Sequence, residues 1–367
     1  MTDADFRSLA NSYIRNLIPY QPGKPIEEVK RELSISSIIK LASNENPIGP
    51  SPFAMAAAQK ALTKSHVYPD GGCYELKTTL AKFLNIQPTQ LTMGNGSENV
   101  LEMIIKTYLT QGSSAIIAEY AFLTIPLLIK SYNAEMISVP AQQFSHDIAN
   151  MIAAVRENTR IIFVVNPNNP TGTYTTTSDM ISLLESVPTH ILIVIDEAYH
   201  EYIDKTDYPN TLELLKKYPN LVITRTFSKA YGLAALRLGY AISSPAIADM
   251  LNRARLPFNV NTIAAEAAEA ALHDHKHIAD SIALNQQGKQ QLTEGLKRLT
   301  INYIPSLGNF ITFDVTHDAI EVYQKLLYQG VIVRPLHAYN MPTYLRVTIG
   351  TSEQNELFLT ALREVLR

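Results

Sequence analysis

Three apolar runs begin 30 residues apart in this chain of 367 residues: Ile161-Ile162-Phe163-Val164-Val165, Ile191-Leu192-Ile193-Val194-Ile195 and Leu221-Val222-Ile223-Thr224. Their hydrophobicity is continuous rather than alternating, as a strand covered on both faces requires. The stretches between them, around Thr177 to Val187 and Thr211 to Lys217, are long enough for crossover helices. Repeated units of this kind predict a parallel sheet between two layers of helices.

Further strands are expected at Ser114 to Ala118, Glu135 to Val139 and Leu238 to Ile242. Residues 45–270 therefore read as one large α/β domain with a mostly parallel central sheet covered by helices on both faces. An Ala-rich helical stretch, Ile263 to Leu272, and a polar one through about Leu299 come next as a bridge. Strand-like Phe310-Ile311-Thr312-Phe313, a helix near Ala319 to Tyr328, Val331-Ile332-Val333 and Leu345-Arg346-Val347-Thr348-Ile349 read as a smaller α+β domain. The first 40 residues are expected to pack with it, so the division is 45–270 against 1–44 plus 271–367.

Composition narrows the function classes. With 46% hydrophobic and 18% charged residues the chain is globular, and at this length it can bury a deep pocket. A formal net charge of -3 without a Lys/Arg block argues against nucleic-acid partners. No run of 18 apolar residues suggests a membrane span, and the acidic, polar start Met1-Thr2-Asp3-Ala4-Asp5 is unlike a secretory signal. Cys73 is the single cysteine, which excludes an internal disulfide and fits a reducing compartment; a cytoplasmic location is expected. His273, His275 and His277 lack a neighbouring carboxylate or Cys cluster and read as a solvated helix face, so no metal is expected.

Ligands of open parallel sheets bind where strands end and helices begin, so the residues just beyond each of the three runs are the most informative. The first leads into Asn166-Pro167-Asn168-Asn169-Pro170-Thr171-Gly172, the second into Asp196-Glu197-Ala198-Tyr199, and the third into Thr226-Phe227-Ser228-Lys229, with Arg237 beyond. One pocket thus receives an amide, a carboxylate, a phenol, hydroxyls and a lysine. Lysine beside carboxylate alone would read as a buried ion pair. The whole set meets the needs of a pyridoxal phosphate site: a Lys to bond the aldehyde, an acid to keep the pyridine nitrogen protonated, and donors for the phenolate and phosphate. A dinucleotide site is opposed by Gly94-Asn95-Gly96, which lacks the third glycine of that fingerprint.

At these residues the chain resembles the fold-type I pyridoxal-phosphate aminotransferases and, within them, the histidinol-phosphate aminotransferases. The resemblance spans nearly the whole sequence. It rests on Arg15-Asn16-Leu17-Ile18-Pro19-Tyr20, Leu41-Ala42-Ser43-Asn44-Glu45-Asn46-Pro47, Tyr68-Pro69-Asp70, Asn169-Pro170-Thr171-Gly172, Asp196-Glu197-Ala198-Tyr199, Thr226-Phe227-Ser228-Lys229-Ala230 and Leu345-Arg346-Val347-Thr348-Ile349-Gly350-Thr351. It implies that Lys229 anchors pyridoxal 5'-phosphate and shuttles the proton, that Asp196 pairs with the ring nitrogen, and that Asn169 and Tyr199 bond the phenolic oxygen. Thr226, Ser228, Arg237 and the backbone at Gly96-Ser97-Glu98 would hold the phosphate, Phe122 would stack on the ring, and Tyr68 would reach the partner's cofactor in a homodimer with shared sites. Arg346, Arg334, Tyr20, Asn309 and Asn44 would line the substrate end.

The implied reaction moves an amino group between glutamate/2-oxoglutarate and histidinol phosphate/imidazole acetol phosphate, a small-molecule amino donor and a phosphorylated keto acceptor. An aromatic aminotransferase or a decarboxylase acting on threonine phosphate would share the cofactor and differ in pocket shape. A metabolite-sensing regulator is opposed by a segment before Asn44 that is too short and too little basic for a winged helix. Departures from the family pattern are Ala235 and Asn340 where glycine is expected, and Gly71-Gly72-Cys73-Tyr74 after the Tyr-Pro-Asp motif.

Overall fold

The fold is that of a computed structural model, which describes residues 5–19, 23–33, 35 and 37–367. Thirteen short to medium strands are described, the first being β1 (Ile39–Lys40). The central sheet has seven: β2 (Leu91–Gly94), β3 (Ser114–Ala118), β4 (Glu135–Val139), β5 (Thr159–Val165), β6 (Leu192–Asp196), β7 (Leu221–Thr226) and β8 (Gly239–Ser243). Their order is β2-β8-β7-β6-β5-β3-β4. The three evenly spaced runs lie side by side and parallel as β5, β6 and β7, and β8 alone runs against its two neighbours. The short strand Leu91–Gly94 is absent from the strands expected from sequence: its Leu-Thr-Met-Gly offers too few residues to show a period.

Alternation along the strands builds two apolar layers. Ile162, Val164, Ile193, Ile195, Leu221 and Ile223 point into one. Ile161, Phe163, Val165, Leu192, Val194 and Val222 point into the other. Being covered on both faces is why these strands carry no polar alternation. Helices Thr177–Ser186 and Thr211–Leu215 occupy the expected crossovers, capped by Thr176 and Asn210, whose side chains accept the N–H of Asp179 and Glu213.

A second sheet, β12 (Arg334–Pro335), β13 (Tyr344–Thr348), β10 (Phe310–Asp314) and β9 (Tyr303–Ile304), is antiparallel and stands over its own core with helices Ala319–Tyr328 and Ser352–Val365. β1 pairs with β11 (Val331–Ile332). Helices Thr262–Leu272 and His275–Arg298 occupy the bridge, with Asp274 capping the second by accepting the His277 N–H. The N-terminal segment divides. Val29 of helix Ile26–Leu33 packs with Ala42, Leu327 and Ile332, but Leu17, Ile18 and Pro19 lie along a cleft with Thr124, Leu127, Leu128 and Ser131 of helix Thr124–Ser131. The expectation that the first 40 residues pack with the C-terminal part thus fails for 17–19, whose apolar side chains line the helix beside β3 instead.

Among the described residues no helix is long and apolar enough to cross a membrane. Ile193 is fully buried in the first layer. Ile193→Ala should therefore cost about 2–5 kcal/mol of stability, read as a lower denaturation midpoint at unchanged denaturant slope.

Candidate active site

Sheet register sets the site. Val165, Asp196 and Thr224 are lateral partners across β5, β6 and β7, and Thr226, Gly239 and Gly94 are partners across β7, β8 and β2. Both rows lie at the carboxyl edge of the parallel strands, so the turns after β2, β5, β6 and β7 open into one region. Asp196, Thr224 and Thr226 share the face that carries the Phe163 and Val194 layer, and Phe122 is half-buried against that same layer.

Asp196 is buried and accepts the Thr224 hydroxyl at 2.9 Å. Burial pushes its pKa up to about 6, against which the Thr224 hydrogen bond acts downward. Lys229 is half-buried, and its Nζ donates to the Ser43 carbonyl at 3.2 Å and lies 5.8 Å from the Tyr199 ring centre. Burial, and then the positive charge of Arg346, bring its pKa down to about 8. Tyr199 is buried edge-on against Phe310, and its hydroxyl accepts the Asn44 side-chain N–H at 2.8 Å. Asn44 in turn offers its carbonyl to the Asn309 amide at 3.0 Å and its N–H to Thr348.

Arg346 closes the site from the second sheet. One terminal nitrogen donates to the Asn169 side-chain oxygen and the other to the Ala42 carbonyl at 2.8 Å, with the guanidinium 5.3 Å from the Phe310 ring centre. Thr312, the lateral partner of Arg346, donates its hydroxyl to the Pro170 carbonyl, a second tie to the same turn. Arg334 is the partner of Arg346 on the other side, and facing residues of an antiparallel pair leave the sheet on one side.

The turn after β2 and the segment after β7 form a cradle. Ser97 and Glu98 open helix Ser97–Tyr108, whose first N–H groups lack helical partners. Gly96 has φ +84, and a Cβ there would stand 2.7 Å from a terminal nitrogen of Arg237; one on Gly239 would stand 2.3 Å from the Ser97 nitrogen. Arg237 donates to the Ala234 carbonyl at 3.1 Å, approaches Ser228 Oγ at 3.5 Å and pairs with Glu98 at 3.3 Å. The Thr226 hydroxyl accepts the Ser228 N–H at 3.1 Å. Close backbone approach, helix N–H groups, two hydroxyls and a guanidinium make a site for an anion.

The residues expected from sequence are therefore linked by these contacts or by strand register, except Phe122, which is placed only by its packing on the apolar layer, and two others. Tyr68 is 80% exposed and stacks on Phe258 with ring centres 4.9 Å apart. Tyr20 lies outside the described residues. Ser43, Ala42 and Thr224 were missed: two act through their carbonyls, which no side-chain pattern reports, whereas Thr224 lies two residues before Thr226 and strand alternation was a usable signal. Asn340 adopts φ 57, a conformation Asn tolerates, and Ala235 lies in a short 3-10 turn, so neither departure from glycine disturbs the backbone. A groove of about 490 Å³ bounded by Lys64, Asp70, Cys73, Tyr74, Glu269 and His273 contains none of the expected site residues.

Residues 36–362 match the family described as aminotransferase class I and II. The chain is 49% identical to histidinol-phosphate aminotransferase 2 of Pseudomonas fluorescens strain Pf0-1, over 99% of this chain and 98% of that one. To histidinol-phosphate aminotransferase 1 of Nitrosococcus oceani it is 47% identical, over 100% and 99%. The crystal structure of histidinol-phosphate aminotransferase from Sinorhizobium meliloti in complex with pyridoxal-5'-phosphate superposes with a TM-score of 0.90 at 26% identity, covering 98% of each chain.

Because the folded pKa of Lys229 lies below its ordinary 10.5, the unfolded chain binds the extra proton between about pH 8 and 10.5, and stability from this group rises with pH across that window. Arg346→Met removes a nearby cation, so the pH midpoint for Lys229 reaction with an amine-modifying reagent should move upward from about 8 toward 10.5; a midpoint that stays put would refute the coupling.

Proposed function

The chain belongs to the aminotransferase class I and II family, and on that premise we propose that it is a histidinol-phosphate aminotransferase, exchanging an amino group between glutamate/2-oxoglutarate and histidinol phosphate/imidazole acetol phosphate. It is a pyridoxal-phosphate-dependent transaminase of fold type I. One observation carries the chemistry: Asp196, Lys229 and the Arg237 cradle converge at a single edge of the central sheet. The choice of substrate rests on the two relatives with near-complete coverage.

The donor set fits the cofactor. Asp196, held at a pKa of about 6 by burial, would gain a charge partner in a protonated ring nitrogen. The cradle formed by the backbone N–H groups of Ser97 and Glu98 with Thr226, Ser228 and Arg237 suits a phosphate, which would compete with the Glu98 carboxylate for Arg237. Tyr199, a phenol that accepts from Asn44, and Asn169, whose side-chain oxygen is on Arg346 and whose amide carries N–H donors, would both serve the phenolic oxygen. When bound, pyridoxal phosphate supplies an aldehyde and an electron-accepting ring. Lys229 would hold that aldehyde, and its Nζ, once released, would carry the proton from and to the substrate carbon. A pKa of about 8 keeps a working fraction of free amine near neutral pH. Phe122 would cover the ring from the face it shares with Asp196.

Arg346 and Arg334 would hold the two substrates' anions, since a guanidinium fork suits carboxylate and phosphate alike. Asn44, Asn309 and Tyr20 would complete that end. We also propose a cytoplasmic homodimer, with residues 45–270 as the large domain and 1–44 plus 271–367 as the small one, apart from residues 17–19, which lie along the large domain. The exposed aromatic pair Tyr68 and Phe258 and the neighbouring Tyr74, 69% exposed, support an interface there, with Tyr68 serving the partner's cofactor.

Lys229→Ala should lower kcat by about 10²–10⁴-fold, the contribution of a positioned acid–base group. Wild-type kcat/KM should favour histidinol phosphate over phenylalanine by about 100-fold or more; a preference for phenylalanine would replace the substrate and keep the cofactor. Tyr68→Phe should weaken pyridoxal phosphate binding, measured by equilibrium titration, by about 1 kcal/mol for the lost hydrogen bond, and wild-type affinity in that variant would count against the shared site.

A further inference from the structure

We infer that the buried pair Glu197–Arg225, on the reverse face of the sheet from Asp196, is a positioning device that fixes the lateral placement of the three strand ends holding the cofactor. The inference rests on the assignment of Asn169, Asp196 and Lys229 to that cofactor.

Glu197 and Arg225 each adjoin residues of the site. Glu197 comes directly after Asp196, and Arg225 lies between Thr224 and Thr226, so alternation sends both to the opposite face. There Arg225 donates to one Glu197 oxygen through Nε at 2.9 Å and a terminal nitrogen at 2.8 Å. Their side chains are 5% exposed for Arg225 and 0% for Glu197. The other Glu197 oxygen accepts the Thr211 hydroxyl at 2.9 Å and lies 3.3 Å from the Tyr208 hydroxyl, whose single proton it shares with a nearer carbonyl. Tyr208 also lies 2.6 Å from the carbonyl of Asn166, the residue that comes after β5 and opens the turn to Asn169. One carboxylate thus gathers β6 directly, β7 through Arg225 and β5 through Tyr208.

A buried ion pair is a poor source of net stability, because desolvation offsets most of its attraction, and apolar replacements of both partners are often neutral. What it supplies is directional: both oxygens are engaged in this lateral arrangement, and sliding of the strand ends would lengthen or bend those bonds. An apolar core on that face would hold the strands together and leave their ends free to shift by fractions of an ångström. Asp196, Thr226 and Lys229 feel such shifts directly, and misplacement on that scale is costly to a reacting geometry.

The test separates stability from placement. The double variant Glu197→Leu/Arg225→Met and the single variant Glu197→Gln are compared with wild type for thermal midpoint in the cofactor-free protein, pyridoxal phosphate Kd by absorbance titration, and kcat against KM for the amino donor. Expected is a double variant with a midpoint near wild type but a Kd raised about tenfold and a lowered kcat at similar KM, and a Glu197→Gln protein whose Kd is also raised. Wild-type Kd in either folded variant overturns the inference. So does a double variant that fails to fold, since the pair would then serve stability. Wild-type protein that does not bind pyridoxal phosphate would instead strike the cofactor assignment itself, a failure distinguishable from that of the positioning role.

Discussion

Parallel pairing of β5, β6 and β7 in register is the constraint on which everything else depends. Each strand ends at the same edge, so each succeeding turn must open toward the same space, and the sequence after each strand is free to specialise. Asn169, Asp196 and Lys229 are brought together in this way although none is near another in the chain. The antiparallel β8 adds a second supply to that edge, because its first residue, Gly239, packs against the Ser97 nitrogen and thereby brings the start of a helix beside Arg237.

Burial then tunes the groups so gathered. It raises Asp196 and lowers Lys229, each toward its neutral form. At neutral pH an acid near 6 is mostly ionised and can pair with a cation, while an amine near 8 keeps a fraction in its free form. Arg346 adds to the lowering of Lys229 while tying the second sheet to the Asn169 turn, so the residue proposed for substrate anions also tunes the base and joins the two sheets. Filling that site with an anion would reduce its repulsion on Lys229, a direct electrostatic route from substrate binding to amine basicity.

Much of this was legible in the sequence because continuous apolar runs have few alternatives to buried strands, and because turn and helix-start residues come directly after them. Ser114–Ala118 and Glu135–Val139 were also read with their limits. Leu91–Gly94 was not, since four residues carry no period, and the antiparallel direction of β8 was not, since strand hydrophobicity does not encode direction. Within the site, side chains named themselves by type, whereas the Ser43 and Ala42 carbonyls that bind Lys229 and Arg346 depend on backbone placement. Glu197 and Arg225 were visible as letters beside the motifs, but their pairing across the reverse face requires the register of β6 against β7.

The most direct test of a single cofactor site serving both donors is the absorption spectrum of the purified holoenzyme, recorded as glutamate and then, in a separate sample, histidinol phosphate is added without any keto acceptor. The expected result is a yellow band that depends on Lys229 and that each donor alone converts to the amine form of the cofactor. A band that aromatic amino acids discharge while histidinol phosphate leaves it unchanged would contradict the substrate assignment. Absence of any such band after incubation with pyridoxal phosphate would contradict the convergence of Asp196, Lys229 and the Arg237 cradle on one cofactor.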